Sequence, residues 1–225
     1  MEAFVIVAIL AIVAAATFRG IREMRAQEAA QKQLLVQSGF SPCDAEQGRL
    51  EEIVRSLRDS AAFRVRNPWK RTSARGTVYW YEVSSEAAGD NQRVAADEFL
   101  CSVVRPSPQP FLLYLKPTPL KGLGSRLIEK LVTVFAPPRL HALDLPPDAH
   151  SEALLAAFGP RSAAIQDLVD AEKLALFAQG ARHGVFAVRG QGDHCALELF
   201  GAQARKALQS TGWLDTWAFV QQLAG

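Results

Sequence analysis

Three cysteines, Cys43, Cys101 and Cys195, are all that this chain has. An odd number at wide spacing excludes a disulfide framework and gives no zinc-ligand pattern. A reducing compartment fits such a set. Charge of one sign is also missing: 25 basic and 23 acidic residues leave a net charge of +2. That balance is too small to imply a nucleic-acid binder, and nucleic acid is not an expected partner. There is no P-loop spacing and no dinucleotide fingerprint. Lys121-Gly122-Leu123-Gly124-Ser125 resembles a phosphate loop only in composition and reads as the loop opening a helix. No repeat occurs at a fixed period, no cofactor is expected, and nothing specifies an oligomeric state.

What is present is one long apolar run, Ala3 to Phe18, followed by Arg19, Arg22 and Arg25. Its 16 positions span about 24 Å as a helix, against a hydrocarbon core of about 30 Å. Met1 and Ile21 extend it, and Arg19 can snorkel to the interface. Ala14-Ala15-Ala16 imitates a signal-peptidase site, but Glu2 takes the place of a positive n-region. Residues 1–20 are therefore expected to form a transmembrane helix, with membrane lipid as the partner of residues 3–18. Basic residues near a span stay on the cytoplasmic side. Arg19, Arg22, Arg25 and Lys32 all follow the helix. The expected localisation is the cell membrane, single-pass, with the N-terminus outside and the C-terminal domain cytoplasmic. A protein partner at the membrane is a further expectation.

Residues 21–38 are rich in helix formers and read as a juxtamembrane stalk stopped at Ser38-Gly39. Residues 39–225 read as a cytoplasmic α+β domain: a mostly antiparallel sheet packed by three to five helices. Ser41 is the expected N-cap, and Pro42 the first residue, of a helix lined by Leu50, Ile53, Val54 and Leu57 and ending near Arg58 to Ser60. Cys43 then lies in a first helical turn, where a helix dipole can lower a thiol pKa, but the sequence shows no partner for it and packing is the expected role. Strands are expected at Thr77–Val83, Glu98–Arg105 and Phe111–Lys116, joined as a meander. In the second, Phe99 and Cys101 share the apolar face and Glu98 and Ser102 the polar one. Pro106, Pro108 and Pro110 exclude the stretch between the last two from a central ladder.

Further on, a helix is expected over Lys121–Phe135 and a short strand at Arg139–Leu143. Residues 153–158 fit helix or strand. One helix is expected from Arg161 to about Gln179. Gly184–Arg189 and His194–Phe200 read as a hairpin turning at Gly190-Gln191-Gly192-Asp193. A final helical region, Ala202–Leu223, places Trp213, Trp217 and Val220 on one side.

Candidate chemistry is sparse. Phe63 to Arg75 carries Arg64, Arg66, Lys70, Arg71 and Arg75 around Trp69, with no acid. Read as a loop near a cytoplasmic membrane face, it suits anionic headgroups. His183 and His194 could meet across the hairpin as weak metal candidates, but two imidazoles are too few for a site. Asp144, Asp148, Glu152, Asp167, Asp170 and Glu172 read as a solvated acidic face. The resulting expectation is a non-enzymatic binding or adaptor module with lipid headgroups as a candidate contact. Its alternative is a membrane-anchored hydrolase or metal-dependent enzyme using His183, His194 and nearby carboxylates.

Overall fold

The computed structural model describes residues 22, 25–26, 28–74, 76–85, 94–116, 137–145, 154–161, 163–199 and 219–222. The span expected at 3–18, the helix expected at 121–135 and most of 202–223 lie outside them. Among the described residues no helix is long and apolar enough to cross a membrane. The chain divides into two compact units at Gly39–Phe40. In the first, residues 28–37 are helical (α1), and Gly39 leaves the helix at φ +80, as its lack of a Cβ permits.

The second unit is α+β. Its strands are β1 (Ser41–Pro42), β2 (Phe63–Ser73), β3 (Gly76–Ser85), β4 (Val94–Leu115), β5 (His141–Leu143), β6 (Leu154–Gly159) and β7 (Val185–Leu199). They form one seven-stranded sheet, ordered β1-β2-β3-β4-β6-β5, with β7 on the other side of β4. Every pairing is antiparallel. Helices α2 (Gln47–Arg58), α3 (Ile165–Leu168) and α4 (Ala171–Gly180) pack on it.

Several sequence expectations are corrected. Ser41 and Pro42 are not a helix start. They pair with Lys70 and Trp69 of β2, and the Cys43 N–H donates to Pro68 O at 2.9 Å. The helix begins only after a 3-10 turn at Asp44–Glu46 and stops at Asp59, which takes φ +49. Phe63–Ser73 is a strand, not a loop, because Val65 and Trp69 are buried on alternate sides of it. Residues 154–159 resolve as strand. The expected helix at 161–179 breaks in two. Val169 is extended, and Asp170 caps a new helix by accepting from Lys173 N–H at 2.8 Å. The expected apolar line survives that break, since Ile165, Leu168, Val169, Leu174 and Phe177 are all buried.

The largest correction concerns the sheet's centre. The two strands expected at 98–105 and 111–116 are one 22-residue strand. The expected hairpin at 190–193 does not exist, because β7 runs unbroken for 15 residues along β4. Ser102 pairs with His194 and Phe111 with Gly190, so nine steps on β4 match four on β7. The excess falls on either side of Ser107, which still pairs with Gly192, in stretches that contain Pro106, Pro108 and Pro110, residues that cannot donate to the ladder. Gly190 serves packing, not a turn. A Cβ there would lie 2.3 Å from Cε1 of Phe111. Gly192 takes φ +58 opposite the bulge.

Register sorts the two faces. On one, α2 lays Leu50 and Val54 over Val65, Tyr81, Val83, Leu100 and Ala196. Glu98, Glu198 and Arg189 share this face. On the other, Trp69, Trp80, Phe99, Cys101, Cys195 and Leu197 are buried, and Phe40 packs on Phe99 with ring centroids 6.5 Å apart. Farther along, Phe177 of α4 meets Phe111 at 6.2 Å.

Candidate functional site

β2 carries the basic residues singled out from the sequence, and a one-residue bulge sets how they face. Arg66 pairs with Glu82 and Trp69 with Trp80, with Asn67 at φ +48 between them. Simple alternation would put Arg64 and Arg66 on one face and Trp69 and Arg71 on the other. The extra residue resets that phase, so Arg64, Arg66, Trp69 and Arg71 point to the same side. Lys70 points to the opposite side. Arg75 lies outside the described residues.

Their surroundings differ. Arg66 is exposed, with Glu82 opposite, and Glu82 accepts from Asn67 Nδ2 at 2.9 Å. Arg64, about one-third exposed, bends round the sheet edge to Glu51 at 3.4 Å. Trp69 is buried, so it stiffens the strand and presents no ring to a ligand. The edge is closed to a further strand where α2 covers it. Gln47 Nε2 donates to Val65 O at 2.9 Å, and Arg55 Nε donates to Phe63 O at 3.3 Å.

Lys70 belongs to a separate cluster under α2. It forms an ion pair with Glu46, whose other oxygen accepts from the Tyr79 hydroxyl at 2.7 Å. These two hydrogen bonds hold the Glu46 carboxyl below its ordinary range. Burial, then the Glu46 contact, pushes Tyr79 up to about 12. Burial and the Glu46 charge push the Cys43 thiol up to about 11. Cys43 precedes the 3-10 turn and does not lie in a first helical turn, and it is buried in the core under α2, which accords with the packing role expected for it.

The sequence reading missed a buried ring of four charges. Glu98 and Glu198 sit directly opposite each other on β4 and β7. Like charges so placed repel, and two arginines relieve this. Arg58, the last residue of α2, contacts Glu98 and lies 3.1 Å from Glu198. Arg189 lies 3.3 Å from Glu98 and 2.6 Å from Glu198. Both guanidiniums are more than nine-tenths buried, and Arg58 stands over the Phe63 ring at 4.5 Å. Burial alone would raise the Glu198 carboxyl, but the charges of Arg189 and Arg58 outweigh it and lower it. Burial beside the Glu98 charge pushes Tyr81 well up. Each charge in the ring is answered by the two opposite it, so it serves to dock α2 on the central strand pair. One signal was available in the sequence. Glu98 and Glu198 alternate with Leu100 and Ala196, so their supposedly polar face is an apolar one.

The two histidines do not meet as the hairpin reading required. His183 stacks on Phe219 at 5.5 Å, in a 3-10 turn before β7. His194 lies nine residues past the start of β7, roughly 30 Å along an extended strand. No group of three or more His, Cys, Asp or Glu side chains that could hold a metal ion occurs among the described residues. Of the acids, Asp167 accepts from Ala164 N–H and Asp170 caps α4. Asp148 and Glu152 lie outside the described residues.

No known protein family matches the chain, and no curated protein matches it. One solved structure, the crystal structure of the mycobacterial trehalose monomycolate transport factor A, TtfA, aligns with it. That alignment has 12% identity and a TM-score of 0.49, over 89% of this chain and 93% of that one. A likeness this distant carries no argument about function.

Proposed function

We propose that this chain is a membrane-anchored, non-enzymatic binding module whose β2 face meets anionic lipid headgroups. In this reading residues 3–18 span the membrane once, with the N-terminus outside and the domain on the cytoplasmic side. The observation that supports it is the Asn67 bulge, which gathers Arg64, Arg66 and Arg71 on one side of a strand near the sheet's edge. A basic residue near an anionic surface contributes about 1 kcal/mol. Glu82, opposite Arg66, and Glu51, paired with Arg64, offset part of that attraction and leave on the order of 1 kcal/mol. Such an attraction is weak for a free protein. It suffices for a tethered one, because the anchor already holds the domain at high effective concentration.

The test is binding of the full chain, reconstituted in nanodiscs, to added vesicles containing phosphatidylserine. The expected result is vesicle capture that rises with the anionic fraction and falls with salt. Capture should drop several-fold in the Arg64→Gln/Arg66→Gln/Arg71→Gln variant. Capture that ignores lipid charge, or that the triple variant leaves unchanged, overturns the proposal.

A further inference from the structure

Cys101 and Cys195 lie directly opposite each other on β4 and β7, 94 positions apart in sequence. Both are free and buried. Their register puts both side chains on the same face of the sheet. Directly opposed residues in an antiparallel pair have Cα atoms about 4.5–5.5 Å apart. A disulfide accepts about 4.4–6.8 Å, so the backbone need not move to close one. The Cys101 thiol donates to Cys195 O at 3.6 Å, which places its sulfur beside the partner residue.

A second observation concerns access. The β4 bulge leaves a small cavity beside Cys195, lined by Phe111, Phe177 and Leu168, with Lys173 and His194 also bordering it. It reaches Cys195 and not Cys101. The Lys173 charge favours the Cys195 thiolate, although the Cys101 contact and burial hold the thiol well above its ordinary range. The closed pair is therefore protonated and unreactive, and the cavity, about 10 Å³, holds no more than one water-sized molecule, so hydrogen peroxide reaches the Cys195 side of the pair when the strands open locally at the bulge.

We propose that Cys101 and Cys195 form a reversible cross-strand redox pair, oxidised by a small hydroperoxide that enters beside Cys195. The Cys195 sulfur, losing its proton, attacks one peroxide oxygen. The O–O bond breaks, a sulfenic acid forms, and hydroxide takes up that proton to leave as water. The Cys101 sulfur then attacks the Cys195 sulfur, the S–O bond breaks, and the hydroxyl departs with the Cys101 proton as water. Two thiols lose two electrons and two protons, and hydrogen peroxide becomes two waters. A dithiol reductant reverses the product. The resulting bond staples the two central strands next to their bulge.

The test treats the full chain, in detergent, with hydrogen peroxide. The oxidant is then removed, the chain unfolded, and free thiols alkylated for peptide mass spectrometry. The expected product links the Cys101 and Cys195 peptides within one chain, leaves Cys43 alkylated, and returns to free thiols with a dithiol. In Cys101→Ala, dimedone should trap a sulfenic acid at Cys195. In Cys195→Ala, Cys101 should remain a thiol. The linkage in the unsubstituted chain requires neither variant to fold. Alkylation of both thiols after peroxide, a link through Cys43, or a link between two chains overturns the proposal.

Discussion

Glu98→Gln removes one charge from the buried ring and almost no volume. The native ring is neutral, with Arg58 and Arg189 each touching Glu98 and Glu198. The variant leaves two guanidiniums facing one carboxylate, at a position only 1% exposed. Breaking a buried ion pair from one side costs about 3–5 kcal/mol. Whole domains are stable by about 5–15 kcal/mol, so the loss is a large share. With a urea slope of about 2 kcal/mol/M, the unfolding midpoint should fall by about 2 M. Tryptophan fluorescence of the full chain in detergent reads that midpoint. Arg64→Gln is the control, because its pair with Glu51 is one-third exposed and should contribute less than about 1 kcal/mol. Adding Arg189→Met to Glu98→Gln restores neutrality, so the double variant should lose less than the sum of the single losses by at least about 1 kcal/mol. If Glu98→Gln costs no more than Arg64→Gln, or if the two ring substitutions simply add, the reasoning is refuted.

Three other outcomes follow from the same structure. Gly190→Ala places a Cβ within 2.3 Å of the Phe111 ring and should cost about 1–3 kcal/mol by urea unfolding, with partial recovery on adding Phe111→Leu. Asp170→Ala removes the cap that starts α4 and should cost about 1 kcal/mol in the same assay. Because the arginines lower the folded Glu198 carboxyl, its contribution is present above its unfolded value of about 4.3 and is lost as pH falls through the lower folded value. Stability should therefore drop below about pH 4, and Glu198→Gln should be less stable at neutral pH yet lose less on acidification.

How much of this was legible in the sequence varies with the range of the interaction involved. The apolar line of α2, the β3 strand and the buried faces of α3 and α4 follow from local periodicity. The helix break at Asp170 had a local signal too, since Asp is a preferred cap, but the continuous apolar stripe masked it. The two centre strands were misread because proline and glycine clusters normally mark turns. Here Pro106–Pro110 and Gly190–Gly192 face each other across one long strand pair, and only that pairing shows them to be a bulge and a close-packing site. The charge ring was illegible for the same reason. Its four members come from α2, β4 and β7, up to 140 positions apart. The basic segment was found, but its six candidates were treated alike. The bulge at Asn67 separates Arg64, Arg66 and Arg71 from Lys70, which Glu46 holds, and from Trp69, which is buried.

Footprinting of arginines tests the central claim most directly. The full chain in nanodiscs is treated with an arginine-specific dicarbonyl reagent, and modification is mapped by peptide mass in zwitterionic and in phosphatidylserine-rich discs. Arg139, in the turn before β5 and with its side chain 84% exposed, serves as the internal reference. The account predicts that anionic lipid protects Arg66, and to a lesser degree Arg64 and Arg71, while Arg139 reacts equally in both. Equal reactivity of Arg66 in the two kinds of disc would contradict it.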